Sequence, residues 1–140
     1  MGFLGKLFGF ESKYPNLAPD TNAAKKLELM KGPLEELTKK VTDTMEVVPA
    51  DDSAYVFIGK PPKNFGMAWI EKGKVYTFKT LAEEKAVPQQ QITKMVDALA
   101  DAYKRSDSES RYSAELGDKI VTVTPSQNLA REVKDIIGNA

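Results

Sequence analysis

Phe65-Gly-Met-Ala-Trp-Ile-Glu-Lys-Gly-Lys-Val-Tyr-Thr-Phe78 reads as two strands folded back on each other. Aromatic and β-branched residues fill both arms, and Lys72-Gly73 between them suits a tight hairpin turn, where glycine accepts positive φ without steric cost. With a two-residue loop, Ile70 lies opposite Val75, Trp69 opposite Tyr76 and Met67 opposite Phe78. One face then holds Met67, Trp69, Tyr76 and Phe78, and the other Gly66, Ala68, Ile70, Val75 and Thr77. A three-residue loop with a glycine bulge would shift that pairing. Just upstream, Ala54-Tyr-Val-Phe-Ile58 is apolar on both faces, as a central strand should be, and Gly59–Asn64 connects it to the hairpin.

Further along, Arg111–Leu116 and Lys119–Thr124 flank Gly117-Asp118, a type II′ turn signal with glycine first. The register puts Tyr112, Ala114 and Leu116 with Val121 and Val123 on a buried face. Arg111, Ser113 and Glu115 fall with Ile120, Thr122 and Thr124 on the outer one.

Helical periodicity fills the intervals. Asp20 or Thr21 caps a first helix with Ala24, Leu27 and Met30 inward, and Gly32-Pro33 interrupts it. Leu34, Leu37, Val41 and Met45 recur at helical spacing, so a second helix is expected to end near Glu46. Leu81–Ala86 reads as a short helical turn. Pro88 opens the clearest helix, with Ile92, Met95, Val96, Leu99 and Tyr103 inward and Lys104-Arg105 favourable at its C-terminal end. Thr124, Pro125 and Gln127 resemble a capping box before a last helix carrying Leu129, Val133, Ile136 and Ile137, with Gly138 as the stop. The expected fold is α+β: a two-layer sandwich with helices collected on one side of a five-stranded antiparallel sheet, in the order α-α-β-β-β-α-β-β-α. Residues 1–19 read as an apolar leader and linker, and 20–140 as a single domain.

The chain of 140 residues contains no histidine and no cysteine. That removes the usual proton shuttle at neutral pH, thiol chemistry, disulfides and the common zinc and iron–sulfur ligand sets. Carboxylate, lysine or tyrosine chemistry remains. Lys+Arg and Asp+Glu both count 20, so the net charge is zero, which argues against nucleic acid, whose phosphates call for clustered cations. Asp97 and Asp101 lie one helical turn apart, a spacing that suits a divalent ion. Lys94, Lys104 and Arg105 within reach favour surface ion pairs instead. Asp51-Asp52 reads as a turn cap, and Glu83-Glu84 as a solvated face. Lys60-Pro-Pro-Lys63 lacks the glycine spacing of a phosphate loop and reads as a stiff connection. Trp69 with Met67, Tyr76 and Phe78 reads as the sheet face beneath helices rather than a ligand groove. No catalytic residue, cofactor or metal site is expected, and the chain is read as a non-enzyme.

The sharpest candidate site is the N-terminal run with Phe3, Leu4, Leu7, Phe8 and Phe10. Leaving such side chains in water forfeits about 1.5–3 kcal/mol each, so the run should find an apolar surface. Gly2, Gly5 and Gly9 weaken a helix there by roughly 1 kcal/mol apiece, which favours ordering on contact. Three readings stand: folding back on its own domain, docking to a protein partner, or contact with a membrane surface, for which the single Lys6 gives little attraction to anionic lipid. Lys6 within the apolar run and the lack of a basic leader do not fit a secretory signal, so a cytoplasmic location is expected.

The element order is similar to that of the small secretion chaperones of bacteria, which dimerise and hold extended segments of their clients. The resemblance covers most of the chain after Asp20 and implies the architecture, together with homodimerisation as one mode of assembly. Those chaperones are usually strongly acidic, whereas this chain is neutral. The function expected is a cytoplasmic protein-interaction or chaperone-like module, the alternatives being a peripheral membrane protein or a small-ligand binder.

Overall fold

A computed structural model of the chain describes residues 14–138. Two helices, α1 (Asn22–Leu29) and α2 (Lys31–Lys40), precede the strands β1 (Met45–Pro49), β2 (Ser53–Lys60), β3 (Asn64–Glu71) and β4 (Lys74–Thr77). Then come α3 (Phe78–Glu84), α4 (Gln89–Arg105), β5 (Tyr112–Leu116), β6 (Lys119–Val123) and α5 (Gln127–Gly138). The fold is α+β, but its sheet has six strands in the order β4-β3-β2-β1-β6-β5. Every neighbouring pair is antiparallel except β1 and β6, which run parallel through Glu46↔Thr122 and Val47↔Val123. The expected sheet of five antiparallel strands is corrected on both counts by β1.

The sequence hides β1 for a physical reason. Met45 continues the apolar spacing of Leu37 and Val41, so the end of α2 and the start of β1 share one period. The helix in fact stops at Lys40, and Met45-Glu-Val-Val-Pro49 is buried at every position. A strand covered on both faces loses the polar–apolar alternation that announces a strand. Its two β-branched valines are the remaining signal.

Both faces of the sheet carry a core. Met45 and Val47 of β1, Ala54 and Val56 of β2, Ala68 and Ile70 of β3, and Val121 and Val123 of β6 pack with Leu27, Met30, Leu34 and Leu37 of the α1–α2 region. On the opposite face, Val48, Tyr55, Phe57, Met67 and Trp69 pack against Leu81 of α3, Ile92, Met95 and Leu99 of α4, and Leu129 and Val133 of α5. Helices therefore lie on both sides, where the sequence reading collected them on one. The alternation within β2 and β3 requires this: Ala54, Val56, Ala68 and Ile70 are all fully buried and need cover opposite Phe57 and Trp69.

The hairpin that opened the sequence reading is present. Ile70 pairs with Val75 and Trp69 with Tyr76, and Lys72 and Gly73 both have positive φ, 53° and 78°, as a type I′ turn requires. Phe78 is not in the strand. Thr77 and Thr80 cap each other reciprocally and start α3 at Phe78, so Met67 has no partner there. In the second hairpin Tyr112 pairs with Val123 and Ala114 with Val121, and Gly117 supplies φ 61° at the first turn position. Thr21, rather than Asp20, caps α1 through a hydrogen bond from the Ala24 amide. The cap of α5 is Ser126, whose Oγ accepts from the Leu129 amide at 3.0 Å, and not Thr124. Thr124 is occupied elsewhere.

Candidate interaction surface

Phe3, Leu4, Leu7, Phe8 and Phe10 lie outside the described residues. The point from which they depart is placed. Ser113 of β5 donates its amide to the Pro15 carbonyl and accepts from the Leu17 amide, both at 2.8 Å, so that Asn16 forms a parallel bridge with it. The Ser113 hydroxyl lies 3.2 Å from the Tyr14 carbonyl, to which it donates, and 3.1 Å from Asn16 Oδ1. Leu17 packs on the α1–α2 core. Tyr14–Leu17, within the stretch expected to act as a linker, thus covers part of the β5 edge, whose unpaired backbone groups would otherwise face water or another chain.

The other residues singled out in the sequence fall into ordinary places. Trp69 is only 2% exposed, with its ring stacked on Tyr76 at 6.2 Å and edge-on to Phe78 at 6.4 Å. It is a core residue. The Lys60–Lys63 segment joins β2 to β3 with Lys60 opposite Asn64. Gly59 has φ 104°, and a Cβ there would sit 2.8 Å from the Asn64 carbonyl oxygen, so the turn is closed to larger residues. Asp51 pairs with Lys26 at 3.1 Å, and Glu84 with Lys74 at 3.3 Å. Asp97 and Asp101 are exposed on α4. Among the described residues, no group of three or more Asp or Glu is placed to hold a metal ion.

A cluster the sequence reading missed lies beneath the C-terminal end of α4. Glu46 of β1 is 9% exposed and accepts hydrogen bonds on both oxygens. The Tyr103 hydroxyl donates to Oε1 at 2.7 Å, while Thr124 Oγ1 at 2.7 Å and Arg111 Nε at 3.1 Å donate to Oε2. The remaining arms of the Arg111 guanidinium reach the Ser106 carbonyl at 2.9 Å and the Ser106 hydroxyl at 2.8 Å. Its carbon centre stands 5.1 Å from the Tyr103 ring centroid. Burial, reinforced by the Glu46 carboxylate, pushes the Tyr103 phenol well above its usual pKa, so it remains a protonated donor throughout the neutral range. Burial also works against the Arg111 charge, and the Glu46 carboxylate and the Tyr103 hydroxyl beside it together more than offset this. A carboxylate held by three donors fastens β1, α4 and the Ser106–Arg111 loop together; it is poorly placed to shuttle protons. The only hint in the sequence is an acid inside the β-branched run Met45–Pro49, legible once that run is known to be a strand.

On the outer side of the helical layer, α4 and α5 leave a groove of about 570 Å³. Met95, Ala98 and Ile136 give it apolar walls, and Pro88, Gln90, Gln91 and Lys94 form its rim. Ile136 is partly buried against the core, and its neighbour Ile137 likewise. By contrast Leu29, 79% exposed, stands alone on α1, and single exposed leucines are common. Among the described residues no helix is long and apolar enough to cross a membrane. No protein family matches the chain, and no curated protein or solved structure does either.

Proposed function

We propose that the chain is a cytoplasmic protein-interaction module without catalytic activity, chaperone-like in binding an apolar stretch of a partner, and that Phe3, Leu4, Leu7, Phe8 and Phe10 carry the recognition. The observation behind this reading is the anchoring of Tyr14–Leu17 along β5. It gives an apolar, glycine-punctuated segment a fixed root at the rim of a folded domain, the arrangement by which a short peptide gains reach and loses little orientation entropy on binding. The saturated bonding of Glu46 and Arg111 points the same way, because it commits the most deeply buried charged pair among the described residues to structure.

The test is a triple substitution, Phe3→Ser/Leu7→Ser/Phe8→Ser, in the full chain. Affinity capture from native extract should lose its specific partner by tenfold or more relative to the unaltered chain. Undiminished capture of the same partner would refute the leader as the recognition element. Sedimentation of the unaltered chain with phosphatidylcholine or phosphatidylserine vesicles separates the membrane alternative: co-sedimentation abolished by the same substitutions would replace the protein partner with lipid.

A further inference from the structure

We propose that the cavity beside the β1–β2 turn binds a small phosphate monoester, with Arg131, Lys134 and Ser53 as its donors. None of these residues belongs to the leader, so this ligand and any partner of the leader are separate matters.

The cavity arises where three elements meet at one end of the sheet. Pro49 closes β1, and Ala50-Asp51-Asp52 turns the chain back into β2. α1 packs on one face of the sheet through Leu27, and α5 on the other through Ala130 and Val133. Lys26 precedes Leu27 and lines the cavity from α1. On α5, Gln127, Ala130, Arg131 and Lys134 recur at the i, i+3, i+4, i+7 spacing of one helical face, and that face forms a second wall. The enclosed space is about 270 Å³. Clefts for drug-sized ligands run from roughly 300 to 1,000 Å³, so the occupant is smaller than these.

Charge selects its chemistry. Lys26 is committed to Asp51 at 3.1 Å. Arg131 and Lys134 make no ion pair and no hydrogen bond among the described residues, which leaves two positive charges on the cavity wall unanswered. Ser53, only 3% exposed, lines the same space. Its single hydroxyl hydrogen faces two acceptors, Asp52 Oδ1 and Tyr55 Oη, both at 3.4 Å, well beyond the usual 2.7–2.8 Å of a bond between oxygens. That donor gains by turning to a closer oxyanion. Two free cations and a hydroxyl match a dianion with three terminal oxygens better than a carboxylate with one charge. Asp52 supplies an acceptor at the cavity's edge, which suits a hydroxyl on the ligand's organic part and opposes a polyanion such as nucleic acid.

Amide NMR titration of the full chain with glycerol 3-phosphate, at neutral pH and fixed ionic strength, tests the site. Saturable shifts are expected at Asp51–Ser53 and Gln127–Lys134, with a Kd of about 1 mM or tighter. Glycerol alone should shift none of them, and inorganic phosphate should bind more weakly. Arg131→Gln/Lys134→Gln should weaken binding tenfold or more; both residues are exposed, so the fold should persist and the remaining amides keep their positions. Lys94→Gln/Lys104→Gln removes the same charge from α4 and should leave the Kd within twofold. Failure to saturate by about 20 mM would overturn the proposal. Equal weakening in the two double variants would do so too, since binding would then follow net charge alone. Inorganic phosphate binding as tightly as glycerol 3-phosphate would overturn the monoester in favour of the free ion.

Discussion

Arg111→Ala is expected to destabilise the protein by about 3–5 kcal/mol, the range for removing one partner of a buried ion pair. The Arg111 and Glu46 side chains are only 8% and 11% exposed, so the Glu46 carboxyl would be left buried without its cationic partner, with Tyr103 and Thr124 as its remaining donors. The Ser106 carbonyl and hydroxyl would lose their bonds to the guanidinium in the same step and keep only those to the Glu109 amide and the Tyr103 carbonyl, loosening the loop after α4. The contrast is Arg105, paired with Glu132 at 2.9 Å but with both side chains substantially exposed. Water and salt screen that pair, and Arg105→Ala should cost far less than Arg111→Ala. Replacing both buried partners, as Glu46→Leu/Arg111→Met, should recover much of the loss, because the penalty lies in orphaning a charge more than in losing an attraction. Urea unfolding of the three variants beside the unaltered chain checks this. An Arg111→Ala effect as small as that of Arg105→Ala would contradict the buried cluster.

Phe57→Ala should cost a similar 3–5 kcal/mol, the usual range for emptying a buried phenylalanine site. Phe57 has no exposed surface and stands on β2 with its ring 5.2 Å from that of Tyr103 and 5.7 Å from that of Phe65. Strand and helix on either side are held by other contacts, so the cavity would close only in part. Because Phe57 and Arg111 both touch Tyr103, their effects should not add: the double variant is expected to depart from the sum by 0.5 kcal/mol or more, a coupling of about the size found for residues sharing a neighbour. Fluorescence of Trp69, the only tryptophan, reports the unfolding in each case. A loss below about 1.5 kcal/mol for Phe57→Ala would mean that the α4 side of the sheet is loosely packed.

The hairpins were legible in the sequence because each carries its signal locally: a glycine at the turn and alternating side chains that fix the register. The register of Trp69 with Tyr76 and that of Ala114 with Val121 both follow from that. The long helix after Pro88 was equally plain, since its apolar stripe runs over several turns. What escaped was set by distant contacts. Met45–Pro49 becomes a strand because β2 and β6 pair with it on either side, and within the five residues only the two valines hint at it. Thr124 looked like a helix cap by spacing, yet Glu46, far away in sequence, takes its hydroxyl and leaves the capping to Ser126. Phe78 continued the strand pattern until Thr77 and Thr80 closed a capping box over it. With β1 reading as the end of a helix, the cluster around Glu46 stays out of sight, because its members come from β1, α4, the loop after α4 and the residue after β6.

The account depends on the domain from Tyr14 onward holding its fold without the apolar leader. Unfolding free energies of the full chain and of a variant lacking Met1–Phe10, measured side by side in urea, test that most directly. The account predicts a difference of no more than about 2 kcal/mol, with unchanged cooperativity. A larger loss, or a variant that no longer unfolds in a single transition, would make the leader part of the core and contradict its role in recognition.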